Sequence, residues 1–212
     1  MQPTASSVAL MRETWMVSRL RARRLILFSL DVCVPPIACR GGKMPIAVQV
    51  PKTPAQLEKG RALMRSFIAW HKERHGQDID LINAYFDGAA FEDEVASLPG
   101  KYGPPRGQLL LATLDGAPVG CVALREIDSG NCEMKRMFVY PQHHGKGVGR
   151  ALAEAIIKEA RALGYRAMRL DTSVRQEEAN GLYRRLGFQS IKPYYELPED
   201  VRNWLVFMEL EL

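Results

Sequence analysis

Gln142-His143-His144-Gly145-Lys146-Gly147-Val148-Gly149-Arg150 is the stretch that decides the fold of this chain. It joins an apolar segment at 137–140, which the pattern predicts to be a strand, to a segment at 148–163 with the apolar periodicity of a helix. A helix that begins directly after such a turn presents free backbone N–H groups to whatever lies beyond the strand. Because the three glycines add no Cβ atoms over those amides, a pyrophosphate is the expected ligand.

Two other phosphate-binding patterns fit the same residues poorly. A P-loop needs Ser or Thr after its Gly-Lys pair, whereas Lys146 is followed by Gly147, and no glycine stands at position 140. A dinucleotide-binding loop needs the spacing G-x-G-x-x-G, and here the third glycine arrives one residue early, at Gly149. The pattern that remains is Q-x-x-G-x-G between a strand and a helix.

This loop and its flanks resemble the GNAT superfamily of acyltransferases. The segment 132–141, C-E-M-K-R-M-F-V-Y-P, is similar to the fourth strand of that family and the start of its loop. The segment 179–188, A-N-G-L-Y-R-R-L-G-F, is similar to its second hallmark, a helix that carries a tyrosine and ends at Leu-Gly-Phe. The resemblance covers about residues 44–212 and implies an α/β fold, the GNAT fold, with a mixed central sheet flanked by helices. In that fold the fourth and fifth strands splay apart.

The periodicity along the chain supports this fold. It predicts helices at about 54–74, 91–98, 148–163 and 176–186. It predicts seven strands, at 46–50, 108–113, 119–126, 132–140, 167–171, 188–193 and 204–210. This order is that of an α/β sandwich, since it does not alternate regularly enough for a doubly wound fold.

The resemblance implies that acetyl-CoA is the co-substrate. Its pyrophosphate would bind the loop amides, with Lys146 and Arg150 near the phosphates, and its pantetheine arm would pair with the backbone of 137–139. Gln176 stands where the family often places a contact to the cofactor, and Asn180 is the alternative. The predicted cofactor contacts are Met137, Phe138, Val139, Gln142, His143, His144, Gly145, Lys146, Gly147, Val148, Gly149, Arg150 and Gln176.

Acetyl transfer to an amine by direct attack needs a proton acceptor for the amine and a proton donor for the departing thiolate. Tyr183 is the predicted general acid, because a phenol with a pKa near 10 suits a thiolate of pKa about 8.5 to 9; the alternative is a core tyrosine. Glu133 is the candidate base, because some family members keep theirs at the matching position. It can instead form an ion pair with Lys135 or Arg125, and Asp171 and water are the other candidates for the base.

The charge of the chain is unevenly distributed. The whole sequence has 29 Lys and Arg against 24 Asp and Glu, but residues 1–43 hold seven basic and two acidic side chains, which leaves the remainder formally neutral. The body therefore gives no electrostatic case for a nucleic-acid partner. We predict that 1–43 is a basic extension, either unpacked or not part of the native domain, and that 44–212 is one domain. The apolar run of the extension, broken by Asp31 and stopped by Pro35-Pro36, is too short to span a membrane.

The remaining expectations concern ligands and setting. The four cysteines lack the spacing of a zinc site, and His71 and His75, one helical turn apart, lack a third ligand, so we expect no metal. We expect a cytoplasmic monomer or homodimer without a membrane partner, acting on a small-molecule or peptide amine. The resemblance implies that segment 76–107 and the loop after the sixth strand shape the acceptor pocket, with Tyr102, Tyr194 and Tyr195 as candidate aromatic walls. The alternative function is a non-catalytic acyl-CoA-binding sensor or partner-binding protein of the same fold.

Overall fold

Seven strands form one mixed sheet in a computed structural model that describes residues 45–212. The predicted extension at 1–43 lies outside the described residues. The strands are β1 (Ile46–Gln49), β2 (Gln108–Leu114), β3 (Ala117–Glu126), β4 (Asn131–Val139), β5 (Ala167–Ser173), β6 (Gln189–Ser190) and β7 (Leu205–Glu211). Their order is β1-β2-β3-β4-β5-β7-β6, and β4 and β5 are the parallel neighbours in a sheet that is otherwise antiparallel.

Helices cover both faces of the sheet, and a hydrophobic core fills each interface. They are α1 (Pro54–Arg74), α2 (Ile79–Tyr85), α3 (Gly88–Ala96), α4 (Val148–Ala162), α5 (Glu177–Arg185) and α6 (Glu199–Trp204). Because β2 is buried on both faces, Leu110 and Ala112 enter the core under α4, and Leu109 and Leu111 enter the core under α1. The predicted mixed sheet flanked by helices is confirmed. No helix within residues 45–212 combines the length and apolar content needed to cross a bilayer.

The first helix is fixed at its start by a capping box. The Thr53 hydroxyl accepts a hydrogen bond from the Gln56 amide at 3.2 Å, and the Gln56 side chain accepts one from the Thr53 amide at 3.1 Å. Pro54 follows in the first turn, where its missing N–H costs nothing. Further along, Phe67 and His71 lie on the buried face of α1, which packs against β3 and β4.

A bulge at Arg136 divides β4 into two parts. Arg136 has a φ of 55°, and the register between β3 and β4 shifts at this point. Before the bulge, Cys132 and Met134 pack into the core under α4; after it, Met137 and Val139 do. Side chains alternate between the two faces of a strand. Because the bulge adds one residue, each side chain after it points to the face opposite to the one it would otherwise occupy.

The neighbouring strands β4 and β5 separate after their first residues. Their parallel pairing joins 131–133 of β4 to 167–169 of β5, and beyond it β5 pairs with β7 alone among the described strands. The second half of β4 therefore has an edge that no strand of residues 45–212 covers. This is the splay that the resemblance implied, and it opens a gap in the middle of the sheet.

Two short helices, α2 and α6, were not predicted, although each has a start signal in the sequence. Asp78 precedes α2 and is of a residue type preferred at that position, but its carboxylate bonds Arg175 and Trp204 instead of capping the helix. α6 begins after Pro198 with two acidic residues in its first turn. The predicted strand at 188–193 is shorter than expected, at two residues.

Candidate active site

The turn between β4 and α4 presents bare backbone. Gly145 and Gly147 have φ values of 74° and 89°, in the left-handed region that favours glycine. Gly147 is the residue before α4, and no side chain within residues 45–212 caps that helix, so its first amides are open to a ligand there. Of the described residues, none places an atom within 4 Å of where a Cβ on Gly145 would stand. A turn with these properties is suited to bind an anion.

A cleft of about 500 Å³, here called the outer cleft, opens between this turn, β4, α1 and α5. Gln142 and Lys146, both exposed, are the two predicted cofactor contacts that do not line it. The predicted contacts that do line it are Met137, Phe138, Val139, His143, His144, Gly145, Gly147, Val148, Gly149, Arg150 and Gln176. One strand, one turn and the start of one helix thus supply most of the wall.

Two histidines of the turn face the outer cleft. The Nε2 atom of His144 lies 2.8 Å from the carbonyl oxygen of Val139, so the ring ties the turn back to the free edge of β4. The Nδ1 atom of His143 is buried and has no hydrogen-bond partner within residues 45–212. Because an unpaired buried polar atom is costly, this nitrogen is available to a ligand in the cleft.

Tyr183 lies where the outer cleft meets a second cavity. This inner cavity, of about 50 Å³, is bordered by parts of α1, β4, β5 and α6. Tyr183, Phe67, Met137 and Gln176 line both spaces. The Tyr183 side chain is 6% exposed. Burial, together with the charge of Asp171, raises its pKa above the ordinary value, so the phenol keeps its proton at neutral pH.

Comparison with known proteins agrees with this geometry. Residues 77–188, more than half of the chain, match the Acetyltransferase (GNAT) family. The chain belongs to the GNAT family. An uncharacterized N-acetyltransferase of Schizosaccharomyces pombe is 34% identical to this GNAT protein over 169 residues, which are 79% of this chain and 95% of the relative. The protein is therefore an N-acetyltransferase by family.

Solved structures share the GNAT fold at low sequence identity. An acetyltransferase from Streptococcus agalactiae superimposes with a TM-score of 0.61 at 22% identity, covering 79% of this chain and 98% of that one. A paiA N-acetyltransferase from Thermoplasma acidophilum, solved in complex with coenzyme A, gives a TM-score of 0.61 at 17% identity, covering 80% of this chain and 100% of that one. These likenesses support the fold described above.

Two carboxylates lie near the inner cavity of this GNAT protein, and Asp171 is the one that lines it. The Tyr85 hydroxyl donates to Asp171 Oδ1, and Lys135 Nζ lies 3.0 Å from Asp171 Oδ2. Burial by itself would raise the pKa of Asp171, but the charge of Lys135 and the hydrogen bonds outweigh it and lower the pKa. Asp171 is therefore ionised at neutral pH.

The second carboxylate, Glu133, is fully buried behind Lys135. Arg125 Nε donates to Glu133 Oε2 at 2.5 Å, the Tyr194 hydroxyl donates to Oε1 at 2.7 Å, and Lys135 Nζ lies 3.5 Å from Oε1. Both ion pairs that the sequence left open as alternatives are present. Glu133 lines neither the outer cleft nor the inner cavity, and its role as a base stays a prediction.

The first helix supplies a wall of the site that the sequence did not predict. Phe67, Trp70 and Arg74 line the outer cleft at a spacing that places them on one face of α1. The periodicity of α1 could have shown that face, but its position over β4 depends on tertiary packing. The unpredicted lining residues from α5 are Glu178, Ala179, Leu182 and Arg185.

His71, also on α1, borders the inner cavity. Its ring stacks against Trp204 with centroids 5.7 Å apart, and its Nε2 atom lies 3.4 Å from the Gln176 amide nitrogen. Burial, then the neighbouring His75, lowers the pKa of His71 to about 4. His71 is therefore neutral at pH 7. In residues 45–212 no group of three or more His, Cys, Asp or Glu side chains is placed to hold a metal ion.

Proposed function

We propose that this protein transfers the acetyl group of acetyl-CoA to a primary amine by direct attack. The position of Tyr183, on the wall shared by the outer cleft and the inner cavity, carries this proposal. A thioester reaching the junction through the outer cleft would meet an amine held in the inner cavity. The reaction forms a C–N bond, breaks the C–S bond, and moves one proton from nitrogen to sulfur.

The residues of the outer cleft fit the chemistry of coenzyme A. The free amides that follow Gly147 suit its pyrophosphate, and His143 Nδ1 offers a further unpaired group. The free edge of β4 suits its pantetheine arm, whose amide groups can pair with a strand. A structural neighbour, the paiA N-acetyltransferase, was solved with coenzyme A. Bound acetyl-CoA would supply the activated acetyl group.

Tyr183 is proposed as the general acid. Its raised pKa keeps the proton on the phenol at neutral pH. Burial also raises the pKa of the departing thiol, because water does not solvate the thiolate there, and this narrows the pKa difference across which the proton must move. Tyr183 would donate its proton to sulfur and recover one from solvent through the outer cleft.

Asp171 is the carboxylate best placed to take the proton from the amine. Asp171 lines the inner cavity, whereas Glu133 does not. Its lowered pKa keeps it negative, which attracts an ammonium ion and stabilises the positive charge that forms on nitrogen during attack. Glu133 would then be a positioning residue that holds Lys135 against Asp171.

Two measurements on the full chain test the proposed function. Titration calorimetry should detect binding of coenzyme A, with ATP and NAD as controls that do not bind. A thiol-release assay over a panel of primary amines should then find an acceptor. Failure to bind coenzyme A would refute the proposal. Tight binding without thiol release for any amine would favour the non-catalytic acyl-CoA-binding protein.

A further inference from the structure

Two consecutive cations line the inner cavity, Lys135 and Arg136. In a regular strand, neighbouring side chains point to opposite faces, so one of the two would enter the core under α4. The bulge at Arg136 keeps both on the face of α1. Lys135 bonds Asp171 there, while the Arg136 guanidinium lies 5.5 Å from the ring centre of Phe86 and 5.2 Å from that of Phe91.

The two cations differ in how fully they are bonded. Lys135 Nζ has three oxygen neighbours, which belong to Tyr85, Asp171 and Glu133. Arg136 holds Glu94 with two groups, Nε at 2.6 Å and Nη2 at 3.0 Å. Its other amino group, Nη1, makes no hydrogen bond within residues 45–212, and the side chain is 11% exposed. Since a guanidinium has five N–H donors and Glu94 takes two of them, three remain for a ligand, including both on Nη1.

The ion pairs around the inner cavity form two separate groups. Arg125 and Lys135 are matched by Glu133 and Asp171. In the other group Arg136 shares a single carboxylate, Glu94, with Lys101, which contacts it at 2.7 Å and is 46% exposed. Within residues 45–212 the largely buried Arg136 therefore has no carboxylate of its own, and a bound anion would supply one.

We propose that the acceptor is a small amine that also carries a carboxylate, such as a small amino acid, and that Arg136 binds this carboxylate. The inference rests on the proposed function, because it names the substrate class of the same site. A guanidinium matches a carboxylate in geometry and charge, and Asp171 attracts the ammonium group of the same molecule. A cavity of about 50 Å³ has room for about four water molecules, which limits the part of the acceptor inside it to a few atoms.

Matched pairs of ligands test the inference directly. Glycine, alanine and serine are each compared with methylamine, ethylamine and ethanolamine, which lack only the carboxylate, and alaninamide serves as a neutral analogue of alanine. Binding is measured by calorimetry, with and without coenzyme A, and turnover by thiol release. We expect each amino acid to bind and react at least about tenfold better than the matched amine. One hydrogen bond between charged groups gives an advantage of this size.

A conservative variant tests the role of Arg136. R136K keeps the charge but loses the free amino group, and R106K is its matched control, because Arg106 also pairs with a carboxylate, Glu126, and lines neither cavity. The ratio of kcat/KM for alanine over ethylamine should fall about tenfold in R136K and stay unchanged in R106K. General damage to the fold would lower both rates without changing the ratio.

The inference is overturned if wild-type protein binds or acetylates the simple amines as well as the amino acids. A preference that survives in R136K would also overturn the role of Arg136. Because binding is measured separately from turnover, a protein that binds amino acids without releasing thiol would support the inference while refuting the proposed acetyl transfer.

Discussion

The outer cleft and the inner cavity are built in different ways. The outer cleft is formed largely by the backbone of one continuous stretch, from the free edge of β4 to the start of α4. The inner cavity is formed by side chains far apart in sequence, such as Tyr85 and Asp171, which are separated by 86 residues. A backbone site can be recognised in a sequence because its glycines are local; a side-chain site becomes visible only once the chain is folded.

The largest effect is expected at the residue that the two regions share. Replacing Tyr183 with Phe should lower kcat by about 10² to 10⁴-fold, because the thiolate loses its acid, while the dissociation constant of coenzyme A changes little. Tyr165→Phe is the control, since its hydroxyl bonds the Arg106 carbonyl and it lines neither cavity. Steady-state kinetics and calorimetry give the two values. Near-normal turnover in Y183F would remove the acid role.

A second comparison distinguishes the contributions of Asp171 and Glu133 to turnover. D171N should lower kcat by about 10²-fold, whereas E133Q should lower it by less than tenfold, because only Asp171 borders the cavity. Each variant leaves buried cations without a partner, so both should lower the free energy of unfolding by about 3 kcal/mol. Kinetics and urea unfolding are measured for both. If E133Q proved the slower enzyme, Glu133 would be the base.

The free energy of unfolding should also depend on pH through His71, which borders the inner cavity. Its pKa in the folded protein is about 4, below the ordinary value of 6.5, so the unfolded chain takes up a proton first as the pH falls. Stability is therefore full above pH 6.5 and decreases by up to about 3 kcal/mol between pH 6.5 and 4. The neighbours His75 and Asp78 titrate in the same contact region.

Urea unfolding of the wild type and of H71F across that pH range isolates this contribution. Phe keeps the aromatic stacking against Trp204 but cannot be protonated. We expect the stability of H71F to change less with pH than that of the wild type. Parallel curves for the two proteins would contradict the assignment.

The smallest effect is expected at the backbone of the outer cleft. G147A places a side chain at a φ of 89°, at a cost of about 1 to 2 kcal/mol, and should weaken coenzyme A binding by about tenfold with little change in kcat. Gly76→Ala is the control, because Gly76 has no left-handed φ and its added Cβ would meet no atom of the described residues within 4 Å. Equal affinity in G147A and the wild type would place the pyrophosphate elsewhere.

The fold and the backbone of the outer cleft could be predicted from the sequence. The strand, turn and helix around Gly145 and Gly147 follow local rules of periodicity and backbone freedom, and the splay followed from the resemblance. The wall formed by Trp70 could not be predicted, because it depends on how α1 packs over β4. The partners of Glu133 include Tyr194, 61 residues away, a pairing that no local pattern specifies. Gln142 and Lys146 stay predicted cofactor contacts that do not line the outer cleft, and the direction of a side chain in a glycine-rich turn depends on backbone angles that the sequence does not specify.

Because of the bulge at Arg136, substitutions in the two halves of β4 affect different parts of the site. Met137, Phe138 and Val139, which follow the bulge, line the outer cleft, and Met134 and Lys135, which precede it, line the inner cavity; Met137 lines both. On the proposed function, substitutions before the bulge can change acceptor preference while cofactor use is preserved. A one-residue deletion near the bulge would have the reverse consequence, because it would turn the Met137 and Val139 side chains to the other face and misalign both partners in a single step.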